Sequence, residues 1–424
     1  MNNQKIKINP VSLILLKIFI MGLVGISSAF FFDNLGPYFI SIKNLNDRSF
    51  IFISFICTLY ALVIMIFLYY IFDIKKIISS YSEKRIILFK PETYKYLWII
   101  TFVLCVLCFV YVYYQANWTH PCLSVLSLDR HAVKLLRSNV EHSVNMNIFN
   151  LGFKLFLPIN LITSLFFLRR KHWAIISFML FVIMGTFTLK RASMVYVIIF
   201  VLFFEMLLSQ IDLKTFLKYF FWGLFFIIGM YFIVKSVSFE SNIFIILFRR
   251  IVYGEIANLP NYFEIFSDNH LSFYHLLPPY VSNIFTGEVL PSAAKIVMEH
   301  INPAAISAGT AGSATTLFIG EAFAVWGYMG VVIFPVFIMI SIIVIVNIFT
   351  RMKKNFIILL FFSFALTQIF SSVFSGIGRF IFSSIQIVLF LFFYCSIIYF
   401  LAKETTLIRR YNVNQENISI SPPH

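Results

Sequence analysis

The sequence predicts an all-α fold: a polytopic transmembrane helix bundle of about 10–12 spans. Three observations predict it. The chain is 60% hydrophobic and only 12% charged, where a soluble domain is typically about 25% charged and 45–50% apolar. Long uncharged runs alternate with short basic connections. No polar stretch in the 424 residues exceeds a loop in size, so 1–424 reads as a single integral membrane domain.

The first ten residues, MNNQKIKINP, are short and basic. The run 11–32 is too long for a signal-peptide core and lacks a small-residue cleavage site, so it reads as an uncleaved first span. Further apolar runs cover 50–72, 97–115, 148–168, 173–189, 192–208, 216–234, 323–349, 355–374 and 380–401. At about 1.5 Å per residue, each crosses or nearly crosses a hydrocarbon core of about 30 Å. With the N-terminus inside, the connections 75–95, 169–171, 214–218, 351–354 and 403–410 become cytoplasmic and hold most of the Lys and Arg, as positive-inside topology requires. Both termini are then cytoplasmic, and 411–424 is a polar cytoplasmic tail.

The net charge of +15 would point to nucleic acid in a soluble protein. Here the cations sit at the ends of apolar runs, and none is interleaved with exposed aromatics as in a nucleic-acid groove. Four of the five cysteines lie in apolar runs. Cys105 and Cys108 form a CxxC inside a span, without His or acidic neighbours, and read as packing residues.

The outer connections carry the chemistry. Segment 116–147 contains LSLDRHAVKLLRSNVEHS, an amphipathic helix pattern with Arg130, Lys134 and Arg137 near one face. Segment 235–322 reads as a large outer loop, which would be periplasmic in a bacterial inner-membrane protein. Lys17 and Lys154, inside spans, lie close enough to helix ends to snorkel. Lys190-Arg191, in GTFTLKRASMVY, sit between two runs with almost no loop. They read either as an interfacial anchor or as an anion site at two helix ends. Arg249 and Arg250 form a second outer pair, and Arg379 lies in the turn SSVFSGIGRFIFSS. Converging arginines suit a diphosphate, because a guanidinium fork binds phosphate oxygens bidentately. Acid–base candidates on the same side are Glu255, Glu264, Asp268, Glu288, His300, His270 and His275, the last two in HLSFYHLLPPY, and Glu321, which follows Gly320 at the mouth of a span. A carboxylate there pairs with an outer arginine or contacts substrate. No Walker loop, HExxH, GxSxG or DxD pattern is present, so the sequence predicts no metal and no other cofactor.

Two stretches, GTFTLKRASMVYVIIF (185–200) and AGTAGSATTLFIGEAFAVWGYMGVV (308–332), resemble the bacterial O-antigen polymerases, the oligosaccharide repeat-unit (Wzy-like) polymerases. The span count and the large outer loop resemble them too. An Arg followed eleven positions later by Gly occurs in some members; here Arg249 and Arg250 meet Pro260 and Asn261 instead. The resemblance implies a metal-independent, inverting glycosyltransferase of the large membrane (GT-C-like) class in the bacterial inner membrane. It implies undecaprenyl-diphosphate-linked oligosaccharides as substrates, with membrane lipid, a chain-length regulator and a flippase as further partners, and no nucleic acid. Lys190, Arg191, Arg249, Arg250 and Arg379 would hold the diphosphates. Glu321 and one of His270 and His275 would serve the acceptor. The alternatives are a flippase or transporter of the same lipid-linked oligosaccharide and an O-antigen ligase.

Overall fold

The computed structural model describes residues 7–31, 49–118, 120–121, 136, 140, 143–187, 191–233, 252–254, 256–277, 279–304, 314, 316–374 and 407–409. The predicted span 380–401, the tail 411–424 and the basic residues of the 116–147 helix pattern lie outside them.

The apolar runs within the described residues form helices. Helix α1 covers 10–31 and passes through a π-helical stretch, Ile18–Val24. Then come α2 (Ser49–Ile71), the short α3 (Ile74–Glu83), α4 (Pro91–Gln115), α5 (Met146–Leu168), α6 (Lys171–Phe187), α7 (Arg191–Leu208) and α8 (Leu213–Ile233). Beyond them lie α9 (Leu259–Ile265), a 3-10 turn (Phe273–Leu276), α10 (Pro279–Thr286) and α11 (Ala293–Ile301). Among the described residues the last long helices are α12 (Phe318–Arg351) and α13 (Phe356–Ser372). Among the described residues, five helices are long and apolar enough to cross a membrane: Pro10–Ser28, α2, α4, α5 and α12. The apolar helices Lys171–Phe187, Ser193–Leu208 and Phe356–Ser372 are shorter.

Interhelical contacts follow the chemistry of an apolar solvent, where small residues and polar side chains join helices. Gly152 of α5 meets Cys108 of α4 so closely that an added Cβ would stand 2.8 Å from the cysteine Cβ. Cys105 donates to the Gly152 carbonyl at 3.4 Å, so the CxxC is a helix-packing surface. Deeper in the same interface, Asn160 donates to the Trp98 carbonyl at 2.9 Å and to Thr101 at 3.1 Å. Ser177 donates to Asn160 Oδ1 at 2.6 Å and accepts from Trp98 Nε1 at 2.9 Å. All four side chains are buried, and they tie α4, α5 and α6 together. Helix α5 is π-helical on both sides of this node, at Gly152–Phe156 and Thr163–Leu168. Pro158 has no N–H to offer the preceding turn, which accounts for the first irregularity.

One end of the bundle is stitched by short strands. Strand β1 (Lys7–Ile8) pairs antiparallel with β3 (Ile211–Asp212), and β2 (Ile86–Leu88) with β4 (Leu407–Arg409). Lysines cap helix C-termini there. Lys354 donates to the Ser82 carbonyl of α3 at 2.7 Å and the Leu208 carbonyl of α7 at 2.8 Å. Lys84 donates to the Thr350 carbonyl of α12 at 2.7 Å. The last four carbonyls of a helix lack intrahelical donors and carry partial negative charge, so a buried ammonium is at home there. Part of the surplus positive charge therefore serves architecture. Burial still draws the Lys354 ammonium down to about 7.

At the opposite end, described residues of the 235–322 segment pack into the bundle. Tyr253, Ile256, Leu259, Tyr262 and Phe263 are fully buried against α1, α2 and α12. Gly25 of α1 lies under the Val252 carbonyl, 2.7 Å from where a Cβ would stand.

Candidate functional site

Helix α12 begins five residues before the predicted span, at Phe318, and breaks at Gly327, whose φ of 59° and ψ of −147° are not helical. The break makes Phe318–Trp326 a half-helix at the loop end of the bundle. Its backbone groups are accounted for from outside. The Phe318 N–H donates to the Val373 carbonyl at the end of α13, at 2.9 Å, and the Ala324 carbonyl accepts from Leu271 N–H at 2.7 Å. Irregular backbone at such depth is tolerated where protein supplies the missing partners. Gly330 packs directly on the Ala322 carbonyl, leaving no room for a side chain.

Glu321 lies in the first turn of this half-helix and is only 7% exposed. It is therefore a helical residue rather than a member of the loop. The positive end of the helix dipole favours a carboxylate there. Around it, Tyr262 donates to the Ala314 carbonyl at 2.9 Å and packs on Gly320. Phe263 and Phe323 meet with ring centroids 4.5 Å apart. Thr316 is 2% exposed, and its hydroxyl has no hydrogen-bond partner among the described residues.

His270 is exposed and sits on the break itself. A Cβ on Gly327 would stand 2.8 Å from His270 Nε2, and the imidazole lies edge-on to Phe323 at 5.8 Å. His275 is half-buried, and its Nδ1 lies 2.7 Å from the Pro291 carbonyl. That contact makes Nδ1 the protonated nitrogen and ties the 3-10 turn to the chain before α11. The structure thus brings His270 and Glu321 to one half-helix. Arg191 opens α7, with its side chain outside the described residues, as are Lys190, Arg249, Arg250 and Arg379 altogether.

No protein-family model, curated protein or solved structure matches the chain.

Two lysines predicted to snorkel have specific neighbours instead. Lys17 of α1 donates to the Phe370 carbonyl at 2.7 Å, one of the last carbonyls of α13, and lies over the rings of Phe370 and Phe374 at 4.4 and 5.1 Å. Lys154 of α5 lies 5.7 Å from the ring centroid of Tyr196 on α7. The Tyr196 hydroxyl accepts from Gln368 of α13 at 2.6 Å. The final turns of α13 thus contact Tyr196 through Gln368, Lys17 through Phe370, and the start of the half-helix through Val373. Sequence reasoning placed Tyr196 and Gln368 in no site. The clue available was an amide and a phenol inside apolar runs, where polar groups need partners.

His120 is a further histidine at this end, 3.2 Å from the Ile183 carbonyl, and burial lowers its basicity. A cavity of about 460 Å³ opens at the strand end, lined by residues including Asp73, Lys75, Lys76 and Glu83. It is remote from the half-helix. Among the described residues, no three His, Cys, Asp or Glu side chains gather into a metal-binding group.

Proposed function

We propose that this chain is a membrane glycosyltransferase that polymerises undecaprenyl-diphosphate-linked oligosaccharide repeat units, the O-antigen, on the periplasmic face of the inner membrane. The observation that carries the reading is Glu321, a buried carboxylate on a half-helix whose break is occupied by His270. The family resemblance of 185–200 and 308–332 supplies the substrate class, and the second of these stretches contains the half-helix.

In this reading the acceptor hydroxyl attacks the anomeric carbon of the donor glycan. The bond from that carbon to the diphosphate oxygen breaks, and undecaprenyl diphosphate leaves. The acceptor proton passes to a base, for which His270 stands closest to the half-helix and His275 is the alternative. Lys190, Arg191, Arg249, Arg250 and Arg379 neutralise the leaving diphosphate. Glu321 orients an arginine or contacts the acceptor.

A flippase for the same lipid is the second reading. Broken helices and intramembrane charges also mark transporters, and the break at Gly327 with Lys154 over Tyr196 favours it. The purified chain in proteoliposomes with lipid-linked repeat units tests both. Longer glycan on the same lipid supports the polymerase. A change of sidedness without new bonds means a flippase, and transfer to lipid A–core means an O-antigen ligase.

A further inference from the structure

We infer that the segment from Phe273 to Val289 lies in the membrane–water interface, with its apolar face docked on phospholipid. Helix α12 has an exposed apolar stripe, Ile333, Phe337, Ile340, Val344 and Ile348, at helical spacing along a candidate span. Lipid is the solvent that covers such a stripe. The stripe continues past the break through Met329 and Trp326, which are 65% and 37% exposed.

From Trp326 an unbroken row of rings leads onto the segment. Phe334 stacks on Trp326 at 4.9 Å, Trp326 meets Phe273 at 6.0 Å, Phe273 meets Tyr274 at 6.4 Å, and Tyr274 stacks on Phe285 at 6.3 Å. Around Phe285 large apolar side chains are exposed: Ile284 is 77% exposed, Phe285 66% and Val289 65%. This patch is therefore continuous with the lipid-facing side of α12. Tryptophan and tyrosine at that junction match the aromatic belt where a bilayer meets water. Polar residues are exposed beside them. Asn283 and Glu288 are exposed, and α11 shows an exposed Lys295–Glu299 pair at 3.9 Å. A short helix with one apolar and one polar side lies in the interface plane. The inference stands independently of the glycan reading.

The test uses the full-length chain in phospholipid nanodiscs, with p-benzoylphenylalanine placed in separate chains at Ile284, Phe285 or Val289. Ile333 serves as the lipid-facing control and Glu288 as the water-facing one. Mass spectrometry after illumination should find phospholipid adducts at the three test positions near the Ile333 level, about tenfold above Glu288. Three positions keep the test decisive if one variant does not fold. Adducts at the Glu288 level, or crosslinks to a second copy of the chain in place of lipid, would overturn the inference.

Discussion

The imidazole of His270 occupies the space beside Gly327 in which any other residue would carry its Cβ, with Nε2 2.8 Å from that point. Gly327 is constrained twice, by this neighbour and by a φ of 59°. Gly327→Ala should therefore cost roughly 1–3 kcal/mol from backbone strain, while the exposed imidazole of His270 can rotate aside and adds little. Thermal unfolding in detergent measures this. The double variant with His270→Ala should therefore melt close to the single variant, because the strain remains. An unchanged melting temperature in Gly327→Ala would show that the break is not needed.

Lys354 sets a pH dependence. Its ordinary pKa is 10.5, and burial brings it to about 7 in the folded chain. Between those values the unfolded chain binds more protons, so stability rises with pH across the window from about 7 to 10.5. The neutral amine still donates to the Ser82 and Leu208 carbonyls. The gain is on the order of a few kcal/mol, reduced by the helix C-terminal dipoles that favour the cation. Unfolding midpoints should climb from pH 7 to 10 in the parent and stay flatter in Lys354→Met. Parallel profiles would refute this role.

Asn160 and Ser177 form the polar node between α4, α5 and α6. Asn160→Leu should lower stability by about 1–2 kcal/mol. A double-mutant cycle with Ser177→Ala should give a coupling energy above zero, because the Ser177 hydroxyl donates to the Asn160 carbonyl oxygen. Strictly additive losses would mean the two side chains act separately.

Glu321→Gln keeps the shape of the half-helix and removes the charge. Under the proposed function, long-chain polymer should fall by about a hundredfold or more while expression and melting temperature hold. Lys154→Met should weaken polymerisation less, since it lies over Tyr196 and away from the half-helix. Normal chain length in Glu321→Gln would remove the carboxylate from the mechanism.

Much of this architecture is legible in the sequence because lipid imposes a simple code of long apolar runs with cations at their ends. The helices up to residue 372 follow that code. It does not report what faces what. Lys17 and Lys154 look like snorkelling side chains when each helix is read alone. Their neighbours, Phe370 and Tyr196, come from runs far away in sequence. The break at Gly327 is hidden too, because glycine suits a straight transmembrane helix as well as a broken one. Helix α3 could have been found, since Ile74, Ile78 and Tyr81 recur at helical spacing on its buried side. The two-strand pairings have no such signal; segments of two or three residues carry no readable alternation.

Those pairings impose an order on biogenesis. Strand β2 is synthesised early, and β4, its antiparallel neighbour, only after α12 and α13 have been threaded. Until then β2 lacks that neighbour, and its three residues keep the open edge short. Closing it brings together a pair of segments that flank most of the bundle. A reporter fused just past residue 409 is therefore not a neutral tag. It hangs on the latch that closes last.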